Sequence, residues 1–365
     1  MKPELLEGKS TYSIFRSVGE AVYKDNPYYR GTESGVERLL LNENSAFKNH
    51  SYTKMFVLRD GNQLVARFAV IHDFRQKDCV QLSFFEAQPG LGDIFPIIKQ
   101  EIQKYFPTCK KVVAGLNGHL NYGAGFLLNR FDEAPVFGLP YTPHYYPDYF
   151  KGLTQKKMFT YRFSMEVYHQ WANSCQTFRQ LDGLSVRYMD KKNIKAESAI
   201  YTKLNNEAFV SHPYWADRDD AEDLELFNPF RFLLDNENLV IAEMNGEPIG
   251  FYLWYPDFNQ LVNSKRDFNL WDLINYRILN KEIDTFRFTE IGIIPKYQRS
   301  PVALALISKS LPKLIEKGYK YCEGGFIFEE NKASIAFVSR ILKRCYGEKP
   351  EPYRQFAVYE TPLNI

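Results

Sequence analysis

The sequence predicts an α/β chain written out twice. Three features point to it. A β-branched, apolar run at 286–294 crosses a short polar loop and opens a helix at Pro301, a strand–loop–helix unit. Two hairpin signals, Asp60-Gly61 and Asn245-Gly246, lie 246 − 61 = 185 residues apart. Around each of them the same order recurs: helix, helix, hairpin, strand, helix, strand.

In the first copy, 11–24 sets Ile14, Val18 and Val22 at helical spacing, and 33–47 reads as a second helix. The hairpin spans 55–74, a strand follows at 79–87 (CVQLSFFEA), a helix covers 93–106 and a strand 111–116. In the second copy, helices fall at 194–210 and 219–234 and the hairpin at 239–258. The strand 286–294, the helix 301–317, the strand 320–328, the helix 332–344 and a last strand at 354–360 complete it. Lys110-Lys111-Val112 pairs best with Tyr319-Lys320-Tyr321, an offset of about 210. The second copy therefore carries about 25 extra residues, which fit only within 259–284. The boundaries that follow are 1–168, a polar linker at 169–183, and 184–365. At 365 residues the chain is long for one core and comfortable for two.

Composition sets further bounds. Hydrophobic content of 45% and charge of 25% are globular, and a formal charge of +2 gives no field that would draw nucleic acid. The aromatic content is unusual, with 29 Phe and 25 Tyr against 4 Trp, which suits broad apolar cores or grooves. Five cysteines, scattered and without CxxC spacing, fit a reducing compartment rather than a disulfide framework or a zinc site. The six histidines show no HxH or HExxH spacing, so no metal is expected. MKPELLEGKS lacks an apolar signal core and no run reaches the length of a membrane span, so the expectation is a cytoplasmic protein.

The residues also carry a resemblance. Paired helices, a tight hairpin, a strand ending in Ile293-Ile294-Pro295, a loop, a helix, and a strand followed by Asn331 resemble the GNAT (N-acetyltransferase) superfamily. More closely, the chain is similar to a bacterial family of paired GNAT-like predicted N-acyltransferases. That likeness rests on FFE (84–86), VFGLPYTPHYYPDYFKGL (136–153), NGEPIGF (245–251), PDFN (256–259), EGGFIFEEN (323–331) and YRQFAVYE (353–360). It implies two tandem domains, each a mixed, mostly antiparallel twisted sheet flanked by helices. It implies acetyl-CoA, a longer acyl-CoA or an acyl carrier protein as donor, and a small-molecule or lipid-like amine as acceptor.

GNAT proteins hold the donor pyrophosphate with a Q/R-x-x-G-x-G/A loop, because successive backbone N–H groups ahead of a helix cradle anionic oxygens. The matching residues in the second copy are Gln298, Arg299, Ser300, Pro301, Val302 and Ala303. Pro301 stands where glycine is expected and removes one donor. Lys296 and Arg299 offer charge in its place. In the first copy the glycines of Gln88-Pro89-Gly90-Leu91-Gly92 fit, but Asp93 occupies the helix start as a cap.

An amine acceptor is protonated at neutral pH, so the chemistry needs a base. Glu290, on the strand that faces the thioester in GNAT folds, is the first candidate and Glu323 on the neighbouring strand the second. A strand carboxylate paired with Arg287 or Lys320 is the plainer alternative for either. The resemblance gives the backbone N–H groups of Ile293 and Ile294 the thioester carbonyl, puts Asn331 near the pantetheine, and leaves Tyr353 to stand in for the missing general-acid tyrosine. Tyr145 and Tyr146 suit an acceptor groove or a packing loop equally, and Asp257 and Asn259 either orient the amine or close a turn. Two other functions stay open. One is a catalytically silent paired-GNAT ligand-binding protein; the other is a Fem-like aminoacyl transferase, against which the near-neutral charge counts.

Overall fold

The computed structural model describes residues 1–8, 10–31, 34–167, 169, 181–262, 269–278 and 282–363. The chain forms two compact units, one from Met1–Met158 and Arg354–Ile365, the other from Phe159–Leu261 and Asn269–Tyr353.

The first unit opens with β1 (Lys2–Leu5), α1 (Thr11–Val22) and α2 (Ser34–Leu41). The hairpin β2 (Ser51–Asp60) and β3 (Gln63–Asp73) turns at Asp60-Gly61, where Gly61 takes a positive φ of 56° that side chains disfavour. Next come β4 (Cys79–Ala87), α3 (Phe95–Tyr105), β5 (Lys111–Ala114), the short β6 (Phe126–Leu127) and the one-turn α4 (Tyr146–Tyr149). β4 and β5 are parallel; β1 with β2, β2 with β3 and β3 with β4 are antiparallel. The aromatic excess is spent here on packing. Phe126 and Phe150 stack at 4.7 Å, Phe85 meets Tyr146 edge-on at 5.4 Å, and all four rings are buried.

β7 (Thr154–Ser164) leads into the second unit, followed by β8 (Leu184–Tyr188), α5 (Ile194–Phe209) and α6 (Asp220–Phe230). Then come the hairpin β9 (Leu239–Met244) and β10 (Glu247–Pro256), α7 (Leu270–Arg277), β11 (Thr285–Ile293), α8 (Val302–Glu316), β12 (Tyr321–Phe328) and α9 (Lys332–Tyr346). Strand order is β8-β9-β10-β11-β12 with β7 beside β12; β8–β9, β9–β10 and β10–β11 are antiparallel and β11–β12 is parallel. Each sheet is thus mixed and mostly antiparallel, as the sequence implied.

The compact units differ from the sequence copies at their ends. The last strand, β13 (Gln355–Pro362), was read as the close of the second copy; it pairs antiparallel with β5 and β6 in the first unit. Conversely Thr160, in β7, accepts the Tyr353 N–H at 2.7 Å in the second unit. An edge strand presents unpaired N–H and C=O groups to any strand of fitting register, so adjacency in sequence does not decide the partner. Buried Ala357 and Tyr359, with Leu363 just past the strand, join the first unit's core, which rewards that choice. Sequence periodicity also passed over β1, β7 and β8. Most of 169–183, expected as the linker, and part of the 259–284 insertion lie outside the described residues.

Candidate active site

The second unit contains a fork. β11 and β12 pair in parallel from Thr285↔Tyr321 to Phe288↔Gly324. β11 then continues along β10, where Leu253 faces Glu290 and Trp254 faces Phe288, leaving Thr289 as the extra residue of a bulge. A bulge bends and re-aims its strand, so β11 swings away from β12 at the residue before Glu290. β12 instead stays beside β7: a Cβ on Gly325 would lie 2.8 Å from the Phe159 carbonyl.

Glu290 sits on the diverging arm, half-buried. The Tyr201 hydroxyl donates to its Oε1, and Asn205 Nδ2 donates to Oε2 at 3.1 Å. Tyr201 and Asn205 are four residues apart on one buried face of α5. That helix closes onto β11 because position 292 is glycine; a Cβ there would lie 2.4 Å from the Phe251 ring and 3.0 Å from Ala208. Burial raises the Glu290 carboxyl above the ordinary carboxylate range, opposed by the two hydrogen bonds and reinforced by the negative Asp223. Asp223 is itself locked in a fully buried ion pair with Arg218 at 2.7 Å. A carboxyl shifted upward on a diverging strand is suited to take a proton from an ammonium group.

The backbone of β11 supplies donors on alternate residues. The Ile294 N–H goes to the Ile249 carbonyl at 3.0 Å, so it is held in the ladder with β10 and cannot polarise a thioester. Antiparallel alternation turns the N–H groups of Ile293 and Ile291 to the opposite edge, toward the fork. Ile293 therefore keeps its expected position and Ile291, which the sequence reading passed over, joins it.

The remaining expected residues divide. Glu323 is fully buried inside the closed part of the fork, in register with Arg287, and accepts from Thr160 Oγ1 at 2.8 Å. It is a structural carboxylate by position. Tyr353 accepts from Arg162 at 3.0 Å, and that guanidinium also covers the ring of Tyr321 at the start of β12. The Tyr353 N–H bonds the Thr160 carbonyl, so this residue is held on β7, across β12 from β11. The start of β12 is the closed end, five strand residues from Glu290 along β11, or roughly 16 Å. Asp257 and Asn259 lie at the same end: the Asp257 N–H donates to the Thr285 carbonyl and its Oδ1 accepts from the Asn259 N–H, so PDFN closes a buried turn. Asn331 caps α9 by accepting from Ser334 N–H at 3.1 Å.

The loop ahead of α8 is not a glycine cradle. Gln298 folds back to donate to the Ile293 carbonyl at 3.1 Å, and Ser300 Oγ accepts the Val302 N–H at 3.3 Å. The Val302 side chain is buried and Ala303 half-buried, whereas Lys296 and Arg299 are exposed. Lys296 lies over the Tyr297 ring, and Arg299 has a φ of 65°. An anion reaching this loop would meet the side-chain cations Lys296 and Arg299 rather than a nest of backbone N–H groups.

Tyr145 and Tyr146 lie elsewhere, in the first unit. Tyr146 is fully buried, donates to Glu86 Oε2 at 2.5 Å and accepts the Ala87 N–H; Tyr145 donates to the Ala87 carbonyl at 2.9 Å. They are core residues, not a groove wall. That unit has a fork of its own, ending at Leu82↔Ala114 with a bulge at Phe84-Phe85, but side chains bridge it. Ser83 Oγ donates to the Leu116 carbonyl at 2.6 Å, and Asn117 Oδ1 accepts the Phe84 N–H at 2.9 Å.

No family model matches the chain. It is 19% identical over 379 residues to protein YghO of Escherichia coli K12, covering 97% of this chain and 94% of that one. It is 22% identical over 188 residues to the bacterial ceramide synthase of Caulobacter vibrioides, an alignment spanning 50% of this chain and 47% of that protein, about half of each. Among solved structures, a tandem GNAT protein from the clavulanic acid biosynthesis pathway aligns over 100% of this chain and 99% of its own, with a TM-score of 0.56 and 9% identity. A GCN5-related N-acetyltransferase from Anabaena variabilis aligns with a TM-score of 0.53 and 10% identity, covering 100% of this chain and 73% of its own. The chain has the tandem GNAT fold.

Proposed function

We propose that this chain is an N-acyltransferase that moves an acyl group from a CoA-type thioester to a primary amine, with its reaction centre in the fork of the second unit. The observation that carries the reading is Glu290: a carboxyl raised by burial, held by Tyr201 and Asn205, on the strand that diverges at the fork. Glu290 takes a proton from the ammonium, the freed amine nitrogen attacks the thioester carbonyl, and the N–H groups of Ile291 and Ile293 stabilise the oxyanion. As the intermediate collapses, the C–S bond breaks and the nitrogen's second proton leaves with the sulfur as free thiol. Lys296 and Arg299 attract the phosphates of the donor. Acetyl-CoA, a longer acyl-CoA and an acyl carrier protein all present that thioester.

The acceptor we propose is a long-chain amino alcohol, since the Caulobacter relative is a ceramide synthase and a ceramide is the amide of such an amine. Among the described residues no helix is long and apolar enough to cross a membrane, and the four described cysteines are free thiols, which supports a cytoplasmic setting. A second reading has an observation of its own. Pro301 has no N–H and Ser300 occupies that of Val302, which favours a ligand-binding protein that no longer holds CoA. Calorimetric titration with acetyl-CoA and palmitoyl-CoA separates the two. Micromolar binding that is lost in the Lys296→Ala/Arg299→Ala variant supports the transferase, and thiol release on adding sphinganine completes it; no binding of either thioester sinks the acyl-CoA reading.

A further inference from the structure

The first unit encloses a polar cavity that its bridged fork does not explain. It has a volume of about 90 Å³, enough for several waters or one small polar ligand. It lies among α1, α2, β3 and the bulged part of β4. Arg67, Glu37 and Glu86 line it and are nearly buried, with side chains 6%, 8% and 14% exposed.

Arg67 is committed to Glu37. Its Nη1 and Nη2 donate to the two carboxylate oxygens at 3.1 and 2.7 Å, and Nη1 also reaches the Phe15 carbonyl at 3.3 Å. The guanidinium lies over the Phe15 ring and against Gly19, where a Cβ would come within 2.9 Å of it. Two polar features remain. The Nε–H of Arg67 is buried and meets no hydrogen-bond acceptor among the described residues. Glu86 has its Oε2 held by Tyr146, with the Tyr23 hydroxyl also in reach, while its Oε1 stands 3.8 Å from Arg67 Nη2. A buried donor without an acceptor is rare and marks a place where something else completes the bond.

The charges facing the cavity decide what that is. From α1 come Arg16 and Glu20, which pair with each other at 2.7 Å; from α2 comes Glu37, from β3 Arg67 and from β4 Glu86. Among the described residues two cations meet three carboxylates, so an ionised Glu86 leaves one negative charge in excess. Tyr29, Tyr141, Phe84 and Phe126 complete the wall, and aromatic faces attract cations. An anion would have to compete with Glu37 for a guanidinium already held at both Nη atoms.

We infer that this cavity binds a small primary ammonium with an oxygen acceptor on a neighbouring carbon, the ammonium donating to Glu86 and the oxygen accepting from Arg67 Nε–H. The site stands apart from the acyl transfer proposed for the second unit and holds or fails without it. Burial places the Glu86 carboxyl at about 7. A bound ammonium favours its ionised form, so binding releases a proton and tightens as pH rises; among the described residues no histidine or cysteine lines the cavity to mask this.

The test is calorimetric titration of the full chain with ethanolamine, propylamine, ethylene glycol and acetate at pH 6 and pH 8. Ethanolamine is expected to bind in the millimolar range, about tenfold tighter at pH 8, as the ionised fraction of a group titrating near 7 requires. Propylamine, lacking the oxygen, is expected to bind several-fold more weakly, and ethylene glycol and acetate not at all. Glu86→Gln is expected to lose at least tenfold in ethanolamine affinity and to flatten the pH dependence, with palmitoyl-CoA binding unchanged. Preference for acetate, absence of binding by every probe, or unaltered ethanolamine binding in folded Glu86→Gln each overturns the inference. Should that variant fail to fold, the four probes on the wild-type chain at the two pH values still decide it.

Discussion

The two forks were laid down on one plan and have diverged in opposite directions. In both, a parallel strand pair stops at its fourth register pair and the first of the two strands bulges just past it, at Thr289 directly after Phe288 in one and at Phe84-Phe85 one residue further on in the other. The second strand runs into a glycine with positive φ, Gly325 and Gly115 respectively. Those glycines are 325 − 115 = 210 residues apart, the spacing the sequence offset predicts. Past the fork the likeness ends. The first unit fills the gap with Ser83 and Asn117 and keeps a polar cavity beneath α1 and α2. The second lays Tyr201 and Asn205 of α5 onto Glu290. Counting from the last paired residue, Phe84 in the first unit stands where Glu290 stands in the second. A duplicated site can lose its chemistry through two or three side chains while the backbone geometry persists, because strand pairing and bulges depend on the main chain.

The strongest test of that difference is Glu290→Gln. If the second fork is the reaction centre, turnover with a thioester and an amine falls by about 10²–10⁴-fold, the range for loss of a general base, with thioester affinity kept. Initial rates against pH and donor titration read the two effects separately. Arg67→Met removes the guanidinium that holds both Glu37 carboxylate oxygens, and stability is expected to drop by about 3–5 kcal/mol in urea unfolding, the cost of orphaning a buried charge.

Glu86→Gln sharpens the contrast through pH. The folded carboxyl titrates at about 7 and the unfolded one at 4.5, so between these values the folded state holds the extra proton. Stability from this group is therefore present at low pH and lost as pH rises toward 7. The wild-type advantage over Glu86→Gln is expected to shrink by up to about 3 kcal/mol between pH 4.5 and 8. Urea midpoints at both pH values measure it.

Asn117→Ala unbridges the first fork by leaving the Phe84 N–H without its acceptor, at a cost of about 1–3 kcal/mol in thermal or urea unfolding. Gain of thioester binding by this variant would break the comparison, since the closed fork would then be a donor site held shut by one residue. The smallest effect is expected at Arg299, whose φ of 65° glycine adopts more easily. Arg299→Gly should stabilise the loop by about 1 kcal/mol or less while weakening donor binding, as calorimetry would show.

Much of the fold was legible because it rests on local rules. Asp60-Gly61 and Asn245-Gly246 name their turns without any knowledge of neighbours, and the helix start at Pro301 follows from a missing N–H. The short edge strands β1 and β8 carry weak alternation and were invisible. Glu290 could be picked out as a carboxylate in an apolar strand. The same signal marked Glu86 in FFEA, where the motif served only as family likeness, and a polar pair four apart on the 194–210 helix marked Tyr201 and Asn205. Tyr353, Asp257 and Asn259 stand in family-like motifs and Glu323 on the strand next to Glu290; the strands carry Asp257, Asn259 and Glu323 to the closed part of the fork and hold Tyr353 on β7.

By itself the sequence determined the duplication, the hairpins, the strand–loop–helix junction and one acidic residue at its strand. These follow from side-chain period, turn chemistry and capping, which act over a few residues. Only the tertiary structure decided that β13 belongs with β5, that Ser83 and Asn117 bridge one fork while Arg287 reaches the Gly325 carbonyl in the other, and that Arg67, Glu37 and Glu86 share a cavity. Those outcomes depend on which distant groups meet across a sheet edge or beneath a helix, and on burial that raises a carboxyl only once its neighbours have excluded water.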